Sequence, residues 1–274
     1  MSQPPVSAVV VTYHTGPRLR ECLYALAGDP EVSETVIVDN GNPPSDRSWL
    51  EGFCSRHPST TLVDAGGNIG FGRGVNLGVS RASHDVLLII NPDAAIRRRS
   101  ISPMLETAAT MRSPWIVGGR IFDVAGHEER GPRRKRLTLT RAMTSFVGWN
   151  TWTLEKKPPP STPIDMDVIS GAFFLTDRTS FNALNGFDEG YFLHVEDVDL
   201  CRRAWEAGGQ VCYDPRAGAL HYGATSDAPS LVVAAHKADS LARYFHKFAS
   251  GPVERLAVSV IVPVLRWATL LRAR

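Results

Sequence analysis

The 274-residue sequence predicts an α/β domain built on a mostly parallel sheet flanked by helices, with a helical extension at its C-terminus. Three observations carry that expectation. Runs of β-branched and aliphatic residues, from Ser7 to Tyr13, Thr35 to Asn40 and Asp85 to Asp93, lack polar alternation, as strands buried on both faces do. Between them lie segments with apolar residues at helical spacing, among them Leu19, Cys22, Leu23 and Leu26. The second and third runs end in acidic groups, and open α/β sheets hold ligands at the ends of such strands. Residues 1–225 are expected to form the main domain, and residues 226–274 the extension.

Composition narrows the function. At 43% hydrophobic and 21% charged the chain is ordinary globular material, large enough for one sizeable core. A net charge of +2 argues against a general nucleic-acid binder. Cys22, Cys54, Cys201 and Cys212 are scattered without metal-type spacing and read as reduced thiols. The N-terminus lacks the basic region and apolar segment of a leader, so a cytoplasmic location is expected.

Taken in order, the first strand runs into His14-Thr-Gly-Pro and a helix, and the second ends at Asp39. Asp39 is either a nucleotide-binding carboxylate or a turn residue before Asn40-Gly41. A helix over residues 46 to 57 and a strand at Thr61 to Val63 lead to the glycine-rich stretch Gly66 to Gly78. Its glycines would let backbone approach a ligand at a helix start, and Asn68 and Asn76 would donate to a nucleotide or act as caps. The glycines stand too late in the chain for a dinucleotide fingerprint, which disfavours an oxidoreductase. The third strand ends in Asn91-Pro92-Asp93, where a projecting carboxylate suits a hard divalent cation, with His221 the best candidate for a second ligand. A helix over 101 to 112 and a strand from Trp115 to Phe122 follow.

Residues 126–163 read as a long insertion whose Arg133, Arg134, Lys135 and Arg136 would meet a diphosphate. Asp167 to Thr176 reads as a strand, and its Ser170-Gly171-Ala172 would admit substrate closely. Glu196, Asp197 and Asp199 crowd a helix start after Tyr191, Phe192 and His194; they are either helix-capping acids or a catalytic cluster with an aromatic wall. A strand from Gln210 to Tyr213 and a helix over 230 to 248 precede a final amphipathic segment. Leu256 to Leu265 is too short to span a bilayer, and Arg255, Arg266, Arg272 and Arg274 flank it. That pattern suits peripheral contact with an anionic membrane face, or packing on a partner chain that includes a second copy of this one.

The ordered set Val9-Val-Val-Thr-Tyr13, Val36-Ile-Val-Asp-Asn40, Asn68-Ile-Gly-Phe-Gly72, Asn76-Leu-Gly78, Asn91-Pro-Asp93, Ser170-Gly-Ala172, Gly186-Phe-Asp-Glu189 and Glu196-Asp-Val-Asp199 resembles the inverting family two glycosyltransferases of GT-A fold. Within them it is most similar to bacterial rhamnosyltransferases acting on polyprenyl-diphosphate carriers. The resemblance implies a Rossmann-like GT-A sheet and a metal-assisted single displacement. It assigns Asp197 as general base with Glu196 and Asp199 in support. Thr12, Asp39, Asn68, Asn76, Asn91 and Asp93 become donor-binding residues, and Asp93 and His221 hold Mg2+ or Mn2+. Asn91 departs from the family's Asp-any-Asp pattern and leaves the metal more dependent on Asp93 and His221. The implied donor is a nucleoside-diphosphate sugar, dTDP-L-rhamnose first, and the acceptor a glycan or polyprenyl-diphosphate glycolipid. Transfer of galactofuranose or N-acetylglucosamine, or a non-catalytic sugar-nucleotide or glycan-binding module, are the alternatives.

Overall fold

The computed structural model describes residues 3–129, 131–146, 154–155, 158–223 and 229–272. Strands β1 (Val6–Thr12), β2 (Glu34–Asp39), β3 (Thr60–Asp64) and β4 (Val86–Ile90) lie in the order β3-β2-β1-β4, all parallel. Alternate residues of these strands enter two apolar layers. Val9, Val11, Val38, Leu87 and Ile89 face one side; Ala8, Val10, Ile37, Leu88 and Ile90 face the other, where helix α1 (Arg18–Ala27) contributes Leu19, Leu23 and Leu26. Burial on both faces explains the uninterrupted apolar runs, each Val, Leu or Ile contributing about 1.5–3 kcal/mol. Helix α2 (Pro44–Arg56) buries Leu50 and Phe53 in the second layer.

Helix α3 (Phe71–Arg81) covers the first layer through Val75 and Val79. A Cβ on Gly74 would lie 2.7 Å from Val11 Cγ1, so this glycine lets the helix close on β1. The spacing that suggested ligand approach serves helix–sheet contact there.

Beyond β4 the sheet is mixed. β5 (Ala94–Ile96) and α4 (Ile101–Ala108) precede β6 (Trp115–Phe122); β8 (Phe173–Asp177) runs antiparallel to both β4 and β6. β9 (Gln210–His221) is parallel to β6 and antiparallel to β5. The buried character of a strand does not encode its direction, and only pairing reveals the reversal. β9 extends well past the expected Tyr213 because its register with β6 shifts between Gly119 and Arg120, opposite the stretch from Asp214 to Gly218. Asp214-Pro215-Arg216, which reads as a turn, is accommodated in that irregularity.

Four short elements stand where none was expected: β5, α5 (Leu139–Phe146) inside the supposed insertion, β7 (Ile164–Asp165) on β9, and α6 (Arg178–Ala183). The strand expected from Asp167 starts only at Phe173, leaving Gly171-Ala172 in a turn. Helices α7 (Glu196–Glu206), α8 (Ser230–Phe248) and α9 (Gly251–Arg272) complete the described chain. Tyr244, Phe245, Val258 and Val262 of the last two join the apolar layer that also receives α7.

Candidate active site

Three groups of polar residues gather at the C-terminal ends of the parallel strands and the start of α7. At the end of β2, Asp39 is 2% exposed, and its Oδ1 accepts from Gly41 N, Asn42 N and Asn42 Nδ2 at 3.2, 2.9 and 2.8 Å. Asn42 also donates to the carbonyl of Thr12 at 3.0 Å, and Thr12 Oγ1 lies 3.4 Å from Asn42 Oδ1. Oδ2 of Asp39 faces Arg47 at 3.7 Å. Beside them Asn40 Nδ2 donates to Asn68 Oδ1 at 3.1 Å. Thr12, Asp39 and Asn68 thus line one hydrogen-bonded corner, with Asn42 and Arg47 as members that no motif announced.

Asn76 stands apart. Its amide exchanges hydrogen bonds with the backbone of Phe187, at 2.9 Å in each direction, and donates to Glu189 Oε1 at 3.2 Å, fastening α3 to the loop before α7.

The second group follows β4. Asp93 is 6% exposed, and its Oδ1 lies 3.3 Å from Nε2 of His221 at the end of β9. The other ring nitrogen, Nδ1, is 3.0 Å from Glu129 Oε1. Burial alone would lower the His221 pKa, but Asp93 and Glu129 outweigh it and raise it to about 9. Glu129 could not be inferred from the sequence, since it sits in the stretch read as an unstructured insertion.

The third group surrounds Asp197 in the first turn of α7. Its Oδ2 accepts from Arg134 Nη2 at 2.6 Å and from Gly171 N at 2.9 Å; its Oδ1 accepts from Val198 N at 2.8 Å. Arg134 is itself held by backbone bonds to Val168 in both directions, at 3.0 and 3.1 Å, and donates to Ile169 O at 2.7 Å. The turn that supplies Gly171 also ties in the second group, because Ala172 O accepts from Asn91 N at 2.9 Å. So the Asn91–Asp93 turn and Asp197 abut the same three-residue segment, Ser170 to Ala172. Arg133, expected to meet a diphosphate, instead forms a buried pair with Glu128 at 2.7 Å.

Glu196 is buried, and its Oε2 has no hydrogen-bond partner among the described residues. Burial first, then the neighbouring Asp197, pushes its pKa from 4.5 to about 8. It is therefore largely a neutral acid at pH 7. Asp199 is fully buried and accepts from Tyr191 Oη at 3.1 Å, Arg203 Nε at 2.5 Å and Lys247 Nζ at 2.6 Å. Tyr191 and Asp199 consequently belong to the support of α7 rather than to an aromatic wall. The chain enters α7 through His194 and Val195, both in the left-handed region at φ 68° and 71°. Such backbone is costly for a β-branched residue and persists where surrounding contacts enforce it. Burial, then Lys237, lowers the His194 pKa to about 4, so its ring is neutral beside the acids.

The profile of Glycosyl transferase family 2 matches residues 7–184, well over half the chain. The chain belongs to glycosyl transferase family 2. Among curated relatives, this glycosyltransferase is 31% identical over 252 residues to the N-acetylglucosaminyl-diphospho-decaprenol L-rhamnosyltransferase of Mycobacterium tuberculosis, covering 84% of this chain and 80% of that one. It is 27% identical over 225 residues to the rhamnosyltransferase WbbL of Escherichia coli, covering 79% and 83%. Among solved structures, the mannosyltransferase of Pyrobaculum calidifontis with GDP-Man and Mn2+ superposes with a TM-score of 0.63 at 17% identity, covering 99% of this chain and 74% of that one. GalNAc-T7 with UDP, GalNAc and Mn2+ also gives 0.63 at 14% identity; 86% of this chain corresponds to about half, 48%, of that chain. These structural likenesses establish the GT-A fold.

Two structures of this fold hold Mn2+, so a divalent cation is implied beside the donor diphosphate. Among the described residues no cluster of three or more His, Cys, Asp or Glu side chains is arranged as a complete metal site. Asp93 and His221 nevertheless offer one carboxylate and one imidazole nitrogen toward the same point, and Glu129 behind Nδ1 would fix the tautomer that leaves Nε2 as the ligand. A cation that takes its remaining ligands from a diphosphate and water fits this pair.

Proposed function

We propose that this enzyme transfers a sugar, with L-rhamnose the leading candidate, from a nucleoside-diphosphate donor to a hydroxyl of a polyprenyl-diphosphate-linked glycan, at the cytoplasmic face of the cell membrane during envelope polysaccharide synthesis. The names of the mycobacterial and Escherichia coli relatives support the sugar and the acceptor class. The nucleotides and Mn2+ held in the superposed structures support the donor class and the cation.

The observation that carries the mechanism is the setting of Asp197. Oδ2 accepts from both Arg134 and Gly171, while among the described residues Oδ1 accepts one bond, from Val198 N, so Oδ1 keeps a lone pair for a proton. Asp197 acts as general base: its Oδ1 removes the acceptor hydroxyl proton as that oxygen bonds to the anomeric carbon. The bond from that carbon to the diphosphate oxygen breaks on the opposite face, its electron pair leaves with the nucleoside diphosphate, and configuration inverts. Glu196, neutral up to about pH 8, adds no second negative charge against the departing diphosphate. Mg2+ or Mn2+ held by Asp93 and His221 would neutralise charge on that leaving group. Asp39, with Oδ1 already saturated, presents Oδ2 for a ribose hydroxyl or base N–H, next to Thr12 and Asn68.

Calorimetric titration with dTDP-L-rhamnose, UDP-galactofuranose and UDP-N-acetylglucosamine, each with and without Mn2+, tests the reading. Metal-enhanced binding of dTDP-L-rhamnose alone is expected. Binding of a different sugar nucleotide would correct the donor, and no binding of any, with acceptor present, would overturn the proposal.

A further inference from the structure

Helix α9 is apolar on two opposite sides. Val258 and Val262 face inward and are 1% and 5% exposed. On the other side Val253, Leu256, Val260, Val264, Trp267 and Leu271 form a continuous exposed stripe, with intervals of three or four residues along the whole helix. Val253 is 81% exposed and Trp267 65%. A stripe of this extent on a soluble surface marks a place of contact.

We infer that the outer face of α9 docks in the plane of an anionic lipid bilayer, holding the enzyme where a lipid-linked acceptor is presented; the inference deepens the acceptor class proposed above and rests on it only for the purpose of the contact. Charge identifies the occupant. Arg255, Arg266 and Arg272 lie on this helix against a single carboxylate, Glu254. Arg266 is paired with Asp239 at 2.8 Å, which leaves Arg255 and Arg272 as the helix's cationic excess over Glu254. Arg255 and Arg272 are exposed on the same helix, and an anionic headgroup layer would neutralise them. A tryptophan among aliphatic residues, with arginines beside them, is the composition of helices that lie in the interface.

Two further features agree. No helix among the described residues is long and apolar enough to cross a membrane, so α9 lies on the bilayer rather than through it. Around Pro263, where the helix lacks an N–H donor, a cleft of about 420 Å³ opens between α8 and α9, lined by Ala242, His246, Pro263, Arg266 and Trp267.

The test is flotation of the full chain with vesicles of phosphatidylcholine containing phosphatidylglycerol, and with phosphatidylcholine alone. The wild type is expected to float with the anionic vesicles. Val260→Ser combined with Trp267→Ser is expected to lower partitioning roughly tenfold or more. Arg255→Glu should weaken binding to the anionic vesicles alone. These side chains are solvent-exposed, so circular dichroism should show an unaltered fold. Equal flotation of wild type and double variant, or no flotation of the wild type, overturns the docking assignment; in the second case, a dimer that dissociates in the double variant would give the face to another copy. Transfer to a water-soluble, short-chain acceptor is measured in parallel without vesicles. Transfer without vesicle binding removes the docking assignment alone, and vesicle binding without transfer from any donor removes the transferase reading alone.

Discussion

Replacing Glu196 by Gln isolates the electrostatic tension at the start of α7. Burial, reinforced by the charge of Asp197, holds this carboxyl at about 8 instead of 4.5. A carboxyl raised in the folded state contributes its full stability below the unfolded value. That contribution is lost as the pH climbs from about 4.5 to about 8, because the unfolded chain releases a proton that the fold retains. At about 1.36 kcal/mol per pH unit the loss amounts to at most about 5 kcal/mol above pH 8. Glutamine has the shape of the neutral acid and does not titrate. Urea unfolding of wild type and Glu196→Gln at pH 5, 7 and 8.5 should therefore show similar stabilities at pH 5 and a variant several kcal/mol more stable at pH 8.5. Free-energy differences that stay constant across the three pH values would refute a protonated Glu196.

Substitutions at three further positions follow from the same geometry. Arg134→Gln should lower kcat at least roughly tenfold while leaving the dissociation constant for the donor near its wild-type value, and Arg134→Lys should recover only part, since the shorter lysine side chain must reach the place where Nη2 donates to both Asp197 and Ile169 O; single-turnover kinetics with parallel titration checks both. Lys247→Met strips a cation from buried Asp199 and from Asp188, and should destabilise by about 2 kcal/mol in urea because Arg203 still pairs with Asp199. Gly70 has φ 87°, and a Cβ there would stand 2.6 Å from Phe192 O, so Gly70→Ala should cost more than about 2 kcal/mol, read as a lowered unfolding midpoint.

What the sequence disclosed depended on the range of the interaction. β1, β2 and β4 were plain because burial on both faces leaves an unbroken apolar run within one short segment. The positions of Asp39, Asp93 and Asp197 were equally legible, as each stands at a strand or helix end. The partners of these acids were not. Arg134 reaches Asp197 across 63 residues and Glu129 reaches His221 across 92, and both came from a stretch whose weak periodicity concealed α5 and three backbone pairings. Chemistry alone could not separate acids with similar neighbours: Asp199, two residues from Asp197, proved to be sealed by Arg203 and Lys247. The glycines of α3 show the same ambiguity, since a small residue permits close approach without naming what approaches, and at Gly74 it is Val11.

Asp197→Asn keeps the side chain's shape but removes its capacity to take a proton. In single-turnover transfer from dTDP-L-rhamnose to a polyprenyl-diphosphate-linked N-acetylglucosamine acceptor, the variant should lose roughly a hundredfold or more in rate, with donor binding by calorimetry near that of the wild type. A variant that binds donor and turns over at the wild-type rate would contradict the account.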